Sequence, residues 1–266
     1  MKKTYSVYPF LRLILIVGVV CFWFSASDSG AETKLIDLTH SFDQTTIYWP
    51  TSKHFDLKTV HKGLAEGGYW YESSDYSASE HGGTHVDAPV HFAEGKWTVD
   101  EIPLKNLVGK GVLIDVSARA LKDPDYLISR EDFLEWEKRN GRIPPGTITL
   151  VRTGWASFWP DKKQYLGTNK PGDVANLHFP GFSAGAARFL ATERKIGAIG
   201  LDTPSLDYGQ SKDFQAHRIF GEYDIPGFEN LANLGSLPPK GFRVIALPMK
   251  IKGGSGAPLR IVAELE

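Results

Sequence analysis

The segment Glu80–Phe92 constrains the fold of this chain more than any other stretch. The eleven residues from His81 to His91 hold three of the eight histidines of the chain together with one carboxylate, Asp87. Gly82–Gly83 and Pro89 oppose an α-helix here, because glycine in a helix interior costs roughly 1 kcal/mol relative to alanine and proline removes a backbone donor. We therefore predict a glycine turn that leads into an extended strand.

This turn and strand would gather metal-binding side chains around one point. Alternate residues of a strand share a face, so the strand is expected to carry His85, Asp87 and His91 on one side. The glycine turn lets His81 fold back toward His85. Imidazoles beside a carboxylate suit zinc, manganese or iron. A hydrophobic core gains nothing from three titratable rings next to an acid, so a metal site is favoured over core packing.

The segment is similar to the signature of the metal-dependent cyclase-like hydrolases. This family includes bacterial kynurenine formamidase, isatin hydrolase and a manganese-dependent trans-dienelactone hydrolase. Every defined position of the family pattern, from His81 to His91, is met. Further matches lie at residues 153–155, 179–183, 200–207, 217, 229–230, 246–248 and 256–260. The resemblance covers nearly all of residues 35–266.

The resemblance implies a set of metal ligands. His81, His85 and Asp87 are the expected ligands of a first metal. In the dizinc members the equivalent of Asp87 bridges to a second metal, which His217 and Glu229 would hold here, whereas other members work with one metal. The expected cofactor is therefore Zn²⁺ or Mn²⁺, one or two ions per subunit.

His91 occupies the position of the catalytic histidine of the family. Hydrolysis of an amide or a lactone needs a nucleophilic hydroxide and a group that relays its proton to the leaving atom. A histidine on the same strand face, four residues past the bridging carboxylate, suits that relay. The alternative that His91 is a further metal ligand stays open.

Three aromatic residues are candidates for substrate binding. Trp49 lies in Tyr48–Trp49–Pro50, where related formamidases carry a Trp-Pro-Gly-Asp loop that lines the pocket, although Thr51–Ser52 replaces Gly-Asp here. Trp155 and Phe182 are the other two. Such aromatic surface fits a flat or cyclic substrate. The alternative is that most of these side chains fill the core or a subunit interface.

Short apolar runs bounded by turn residues alternate with helical patterns, which predicts an α/β fold. The expected strands are Val112–Ile114, Thr147–Arg152, Ala198–Leu201, Val244–Pro248 and Leu259–Glu264. Helices are expected at Arg130–Lys138, capped by Ser129, and at Ala184–Arg194, capped by Ser183. The resemblance implies a single swivelling β/β/α-type domain around a mixed sheet, the cyclase-like fold, over residues 32–266.

The N-terminus has the outline of a signal peptide over residues 1–31. Three basic residues precede the apolar run Leu13–Phe24, and small residues follow as far as Ala31. A bilayer span needs roughly twenty apolar residues, so no permanent membrane anchor is expected. Cleavage near Ala31 predicts a secreted or periplasmic protein, although retention of the segment stays open. Cys21 is the only cysteine, so the mature chain must bind metal through His, Asp or Glu.

These features together predict a metal-dependent amidohydrolase or lactonase. It would open an amide or lactone bond of a small aromatic or cyclic substrate, as arylformamidases and isatin hydrolase do, by metal-activated water and a histidine proton relay. A non-haem iron oxygenase that uses His85, Asp87 and His217 is one alternative, but it leaves His81 and His91 without a role. A non-catalytic exported metal- or small-molecule-binding protein is the other, and turnover would distinguish it.

The expected partner is a small-molecule substrate. An isoelectric point near 6.7, with no basic run outside the N-terminus, disfavours a nucleic-acid partner. The resemblance implies a metal cleft that a neighbouring subunit completes, so a homodimer or a larger homo-oligomer is expected.

Overall fold

The computed structural model describes residues 1–4 and 34–265. The predicted signal peptide lies outside the described residues apart from its first four positions. Every helix and strand described belongs to the compact unit Thr33–Glu266. Within the described part of the chain, no helix is long and apolar enough to cross a membrane.

The described residues form strands and helices in alternation. The strands are β1 Leu35–Asp37, β2 Asp56–Leu64, β3 Trp70–Ser77, β4 His85–Asp87, β5 Val108–Asp115, β6 Leu127–Ile128, β7 Ile148–Arg152, β8 Gly181–Phe182, β9 Ala198–Leu201, β10 Gly227–Glu229, β11 Lys240–Pro248 and β12 Gly256–Leu265. The α-helices are α1 Leu104–Leu107, α2 Ser117–Ala120, α3 Arg130–Asn140, α4 Lys162–Leu166, α5 Ala184–Arg188 and α6 Gln215–Glu222. Short 3₁₀ turns and one π-helix, Phe189–Arg194, complete the secondary structure.

The main sheet closes on itself. Its strand order is β1-β12-β11-β5-β7-β9-β10-β4, and β4 pairs with β12 as well as with β10. Seven strands therefore form a closed, barrel-like ring, to which β1 is added on β12. The pairs β5–β7, β7–β9 and β9–β10 are parallel and the others are antiparallel. The expectation of an α/β fold around a mixed sheet is confirmed.

Two hydrophobic clusters lie on opposite faces of this sheet. Leu113 and Phe228 belong to a cluster to which most strands of the ring contribute side chains. Val112 and Ile114, the neighbours of Leu113, belong to a second cluster that includes Phe133 of α3. Because successive strand residues point to opposite faces, the first cluster fills the inside of the ring and the second lies under the helices.

The predicted elements are present with small changes in their bounds. All five predicted strands occur, as β5, β7, β9, β11 and β12. Helix α3 starts after Ser129, whose hydroxyl accepts from the backbone N–H of Asp132 while the Asp132 carboxylate accepts from the N–H of Ser129. The helix predicted after Ser183 is α only as far as Arg188 and continues as the π-helix.

The predicted strand through His91 is wrong beyond Asp87. β4 ends at Asp87, and Pro89–His91 forms a 3₁₀ turn. Proline has no N–H for a sheet ladder, and the N–H of His91 donates to the carbonyl of Ala88 instead of to a neighbouring strand. His91 therefore reaches the site from a turn and not from the face of a strand.

Candidate metal centre

A glycine turn brings His81 next to His85, as predicted. Gly83 has a φ of 59°, in the left-handed region that glycine tolerates. A Cβ at Gly82 would lie 2.0 Å from the ring of Tyr48, so a larger residue would displace that tyrosine. The ring centroids of His81 and His85 are 5.4 Å apart.

His81, His85 and Asp87 form the first candidate metal site, which we call the local group because its members lie within one short segment. His81 Nδ1 is 2.7 Å from Asp87 Oδ1, and His85 Nε2 is 3.1 Å from the same oxygen. His85 and Asp87 are buried, whereas the side chain of His81 is 23% exposed. Two imidazole nitrogens thus converge on one carboxylate oxygen.

Asp87, His217 and Glu229 form a second candidate site, the distant group, because its members come from three separate segments. His217 Nε2 lies 3.1 Å from Asp87 Oδ2 and 3.2 Å from Glu229 Oε1. Glu229 reaches this point because β10 pairs with β4 in a register that places Glu229 opposite His85. Asp87 therefore contributes one carboxylate oxygen to each group.

Hydrogen bonds to the ring nitrogens that face away from the carboxylates orient His85 and His217. His85 Nδ1 is 3.0 Å from the carbonyl of Gly83, which also accepts from Asn230 Nδ2. His217 Nδ1 is 2.7 Å from Asp207 Oδ2. Donation from Nδ1 in both rings turns Nε2 toward the carboxylates, where a bound cation would take the place of a shared proton. This arrangement is typical of histidines that bind metals.

The charges of the cluster suit a bound cation. Burial opposes ionisation of Asp87, but His81 and His91 nearby hold its pKa well below the usual range. Burial and the neighbouring Asp87 carboxylate raise the pKa of Glu229. Buried carboxylates need a positive partner, because unpaired charge is expensive away from water. The donor set of imidazoles and carboxylates fits a divalent metal.

His91 lies beside the ligands without belonging to either group. Its ring stacks on that of His81, with centroids 3.8 Å apart and an interplanar angle of 19°. Burial lowers the pKa of His91 to about 4, so its imidazole is neutral near pH 7. Neither set of converging donor atoms within the described residues includes it. This position suits a proton relay better than a metal ligand.

A cavity of about 250 Å³ opens above the two groups. Its polar lining consists of the ligands and His91 together with Ser52, Ser205 and Asn230, and most of its apolar lining residues are aromatic. The apolar wall residues are Ile47, Tyr48, Trp49, Phe92, Pro204 and Phe214. Trp49 lines the cavity, as expected for a residue that contacts substrate.

Trp155 and Phe182, the other predicted substrate residues, do not line this cavity. Trp155 is buried in a cluster with Phe179, and its indole N–H donates to the carbonyl of Tyr165. Phe182 packs against Phe133 and lies in the cluster beneath the helices. Both side chains are needed to fill the core, and their assignment to substrate binding is corrected to packing.

Sequence reasoning missed several residues that shape the site. Phe92 and Phe214 form part of the cavity wall, and Asp207 holds His217. Asp207 lies within one of the family matches, but ten residues separate it from the histidine it contacts. No local pattern relates these positions, because the fold of the loop before α6 brings them together.

Comparisons with known proteins agree with this geometry. The family model described as putative cyclase matches residues 36–208. An isatin hydrolase of Roseibium aggregatum is 33% identical over 192 residues, which cover 69% of this chain and 71% of the relative. A kynurenine formamidase of Salinibacter ruber is 29% identical over 229 residues, with 86% and 96% coverage.

Solved structures extend the similarity to the fold. Isatin hydrolase A from Labrenzia aggregata, bound to benzyl benzoate, has a TM-score of 0.79 at 35% identity and covers 88% of this chain and 94% of its own. Isatin hydrolase A from Ralstonia solanacearum has a TM-score of 0.81 at 29% identity, with 96% and 100% coverage. The protein therefore belongs to the cyclase family of metal-dependent hydrolases.

Proposed function

We propose that the protein hydrolyses the amide bond of a small, uncharged, flat aromatic compound such as a bicyclic lactam. The observation that carries this proposal is the placement of Asp87, shared by two groups of metal ligands, under an aromatic-walled cavity with His91 at its edge. Metal-assisted hydrolysis of a planar cyclic amide uses these parts together: a cation site, a proton relay and a surface that binds a planar ring.

We propose further that two divalent ions, Zn²⁺ or Mn²⁺, bind in each subunit. His81 and His85 would hold one ion and His217 and Glu229 the other, with Asp87 between them. A bound divalent cation polarises a carbonyl group and lowers the pKa of water, which makes a nucleophile available near neutral pH. The support is that both groups present three converging donor atoms.

The residues of the chain itself would bind the substrate and move the proton. Trp49, Phe92 and Phe214 present aromatic surface for a planar ring. The neutral imidazole of His91 would accept the proton of the attacking water and donate it to the leaving nitrogen. His81 would hold the His91 ring in place through their stacked contact.

The lining of the cavity favours an uncharged substrate. No lysine or arginine occurs among the described residues that line it, and its walls are mainly apolar. An amino-acid formamide such as N-formylkynurenine would bring an ammonium and a carboxylate there, and buried charges are costly without partners. A lactam such as isatin carries neither group. This is why we place a neutral lactam ahead of N-formylkynurenine.

The test is metal analysis of the purified protein followed by hydrolysis assays. We expect stoichiometric divalent metal and a kcat/KM for isatin that exceeds the values for N-formylkynurenine and dienelactones. A higher kcat/KM for N-formylkynurenine would contradict the preference for uncharged substrates. Metal without turnover of any of the three would support the alternative of a binding protein.

The oxygenase alternative is disfavoured by the site. A facial triad uses two histidines and one carboxylate and would leave His81 and Glu229 without a function. Both contribute to the groups described above. Oxygen consumption by the iron-loaded protein in the presence of substrate would support this alternative.

We also propose that the protein forms a homodimer or a larger assembly through the β2–β3 hairpin. Large apolar side chains of this hairpin are 49–73% exposed: Leu57, Val60, Leu64, Tyr69, Trp70, Tyr71 and Tyr76. An isolated two-stranded hairpin is marginally stable in water at best. A fully buried aromatic side chain covers roughly 150–250 Å², so the set offers several hundred Å², near the ~800 Å² per partner of a standard interface.

Sedimentation at micromolar concentration tests this assembly. We expect a dimer or larger species for the wild type and a monomer for the variant Leu64→Ser/Trp70→Ser. Leu104→Ser, which changes an exposed leucine outside the hairpin, is the matched control. A monomeric wild type would contradict the proposal.

Export is proposed on the N-terminal sequence alone. The apolar run Leu13–Phe24 after basic residues supports secretion or periplasmic location. N-terminal sequencing of protein recovered outside the cytoplasm should find a start near Glu32. Recovery of the intact N-terminus from the cytoplasmic fraction would contradict export.

A further inference from the structure

His81 is held differently from the other two ligand histidines. His85 and His217 present Nε2 to the carboxylates, whereas His81 presents Nδ1. The Nε2 atom of His81 lies 2.9 Å from Ser255 Oγ. His81 is also the most exposed of the three ligand side chains, so its orientation depends on this outer contact more than on tight burial.

The direction of the hydrogen bonds follows from Glu80. The hydroxyl of Ser255 donates to Glu80 Oε2 at 2.8 Å, and the backbone N–H of Ser255 donates to the same oxygen at 3.1 Å. Since its only proton is directed to Glu80, Ser255 Oγ can only accept from His81 Nε2–H. In a neutral ring the lone pair is then on Nδ1, the atom that lies 2.7 Å from Asp87 Oδ1 and that would bind the cation.

The backbone around Ser255 is shaped for this contact. A Cβ at Gly256 would lie 2.4 Å from His81 Cε1, so any other residue would push the imidazole ring away. Gly256 pairs with Asp87 across β12 and β4, and the carbonyl of Ser255 accepts from the N–H of Ala88. The start of β12 is therefore fixed relative to the ligand segment directly next to the serine side chain.

We propose that Glu80 and Ser255 are a pair of positioning residues that set the tautomer and the ring orientation of His81. The pair acts on the local group through His81, and it acts on His91 through the ring that stacks on His81 at 3.8 Å. This inference rests on the proposed metal-dependent function. It assigns a role to two residues that touch neither the cavity nor the reacting atoms.

The test compares the Zn²⁺ affinity of purified, metal-free variants by competition with a chelator. Ser255→Ala should weaken binding of one metal equivalent by roughly 10- to 100-fold, the usual effect of losing a hydrogen bond behind a ligand. Ser255→Thr keeps the hydroxyl and should restore the wild-type affinity. Ser79→Ala is the matched control, because its hydroxyl accepts from the N–H of Lys53 and does not contact His81.

A second variant and a spectrum separate positioning from folding. Glu80→Ala releases the proton of Ser255 toward His81 and should also weaken one equivalent. The visible absorption of the Co²⁺-loaded protein should change in Ser255→Ala and Glu80→Ala but not in Ser79→Ala. Thermal unfolding of the metal-free proteins shows whether each variant is folded. If Ser255→Ala does not fold, the Zn²⁺ affinity and the Co²⁺ spectrum of Glu80→Ala decide the question.

The outcomes distinguish a failure of the proposed metal-dependent function from a failure of the positioning role of Glu80 and Ser255. If the wild type binds no divalent cation, the proposed function itself is wrong. If the wild type binds Zn²⁺ and the folded Ser255→Ala protein binds it with equal affinity and an unchanged Co²⁺ spectrum, only the positioning role is wrong. A Ser255→Thr protein as weak as Ser255→Ala would also overturn it, because the hydroxyl would then not be the cause.

Discussion

The local group and the distant group of ligands meet at Asp87 but are built in different ways. The local group lies on one turn and one short strand, so a few backbone angles near Gly83 bring its members together, and Ser255 then orients His81. The distant group needs β10 to pair with β4 and α6 to bring His217 to Asp87. The comparison indicates that nearness along the chain gathers the local group, whereas the distant group forms only when separate segments pack together.

The largest effect is expected from Asp87→Ala, because Asp87 is the one ligand that both groups share. Metal content should fall to near zero and turnover should become undetectable, since each group loses a carboxylate ligand. Asp75→Ala, which changes an exposed aspartate of the hairpin, is the control. Metal content by mass spectrometry checks the result. One full equivalent of metal retained by Asp87→Ala would mean that the groups do not depend on a common ligand.

His91→Ala tests whether His91 is a proton relay or a further metal ligand of the local group. A relay stabilises the transition state and does not hold the metal, so both metal equivalents should remain while kcat falls by roughly 100- to 10,000-fold. His178→Ala is the matched control, since His178 pairs with Asp125 at the surface. Joint loss of metal and activity would make His91 a ligand, and an unchanged kcat would remove it from the mechanism.

Glu229→Gln should separate the groups. The side-chain carbonyl of the introduced glutamine can still accept from the N–H of Leu206, as Glu229 does at 2.7 Å, so the fold of β10 should persist. We expect loss of one metal equivalent with retention of the other, because an amide is a weaker ligand than a carboxylate. Glu222→Gln, at an exposed position of α6, is the control. Two equivalents bound as tightly as in the wild type would argue against the distant group as a metal site.

The smallest effect is expected from Trp49→Ala, which alters the cavity wall and neither ligand group. An aromatic contact is worth roughly 0.5–1.5 kcal/mol, so KM should rise by roughly two- to tenfold with metal content unchanged. Trp155→Ala is the comparison variant, because it removes a side chain from the core. It should lower the free energy of unfolding by roughly 3–5 kcal/mol. Steady-state kinetics measure the KM of Trp49→Ala, and denaturant unfolding measures the stability of Trp155→Ala. A normal KM in Trp49→Ala would place the substrate elsewhere.

The same contrast explains what could be predicted from the sequence. The local group was predictable from residue types and spacing, because all of its members lie within one turn and one strand. His217 and Glu229 were assigned only through the family resemblance, since no spacing rule relates a residue of α6 to one of β10. The structure brings them to Asp87 as the resemblance implied.

The errors arose where distant partners decide local structure. The strand was predicted to run through His91, but β4 stops at Asp87, where its pairing with β10 and β12 ends. Trp155 and Phe182 were predicted to contact substrate because aromatic residues serve both binding and packing. Which of the two applies depends on the interior that surrounds them, and a single sequence does not reveal it.

Closure of the sheet by β12 affects when the site can form during synthesis. The ligand segment around His85 leaves the ribosome well before β12, which pairs with Asp87 through Gly256. Contacts between such distant parts of a chain form late in folding. The ligands are therefore held in place only after β12 has been made, and a nascent chain that still lacks β12 cannot bind metal in the folded geometry.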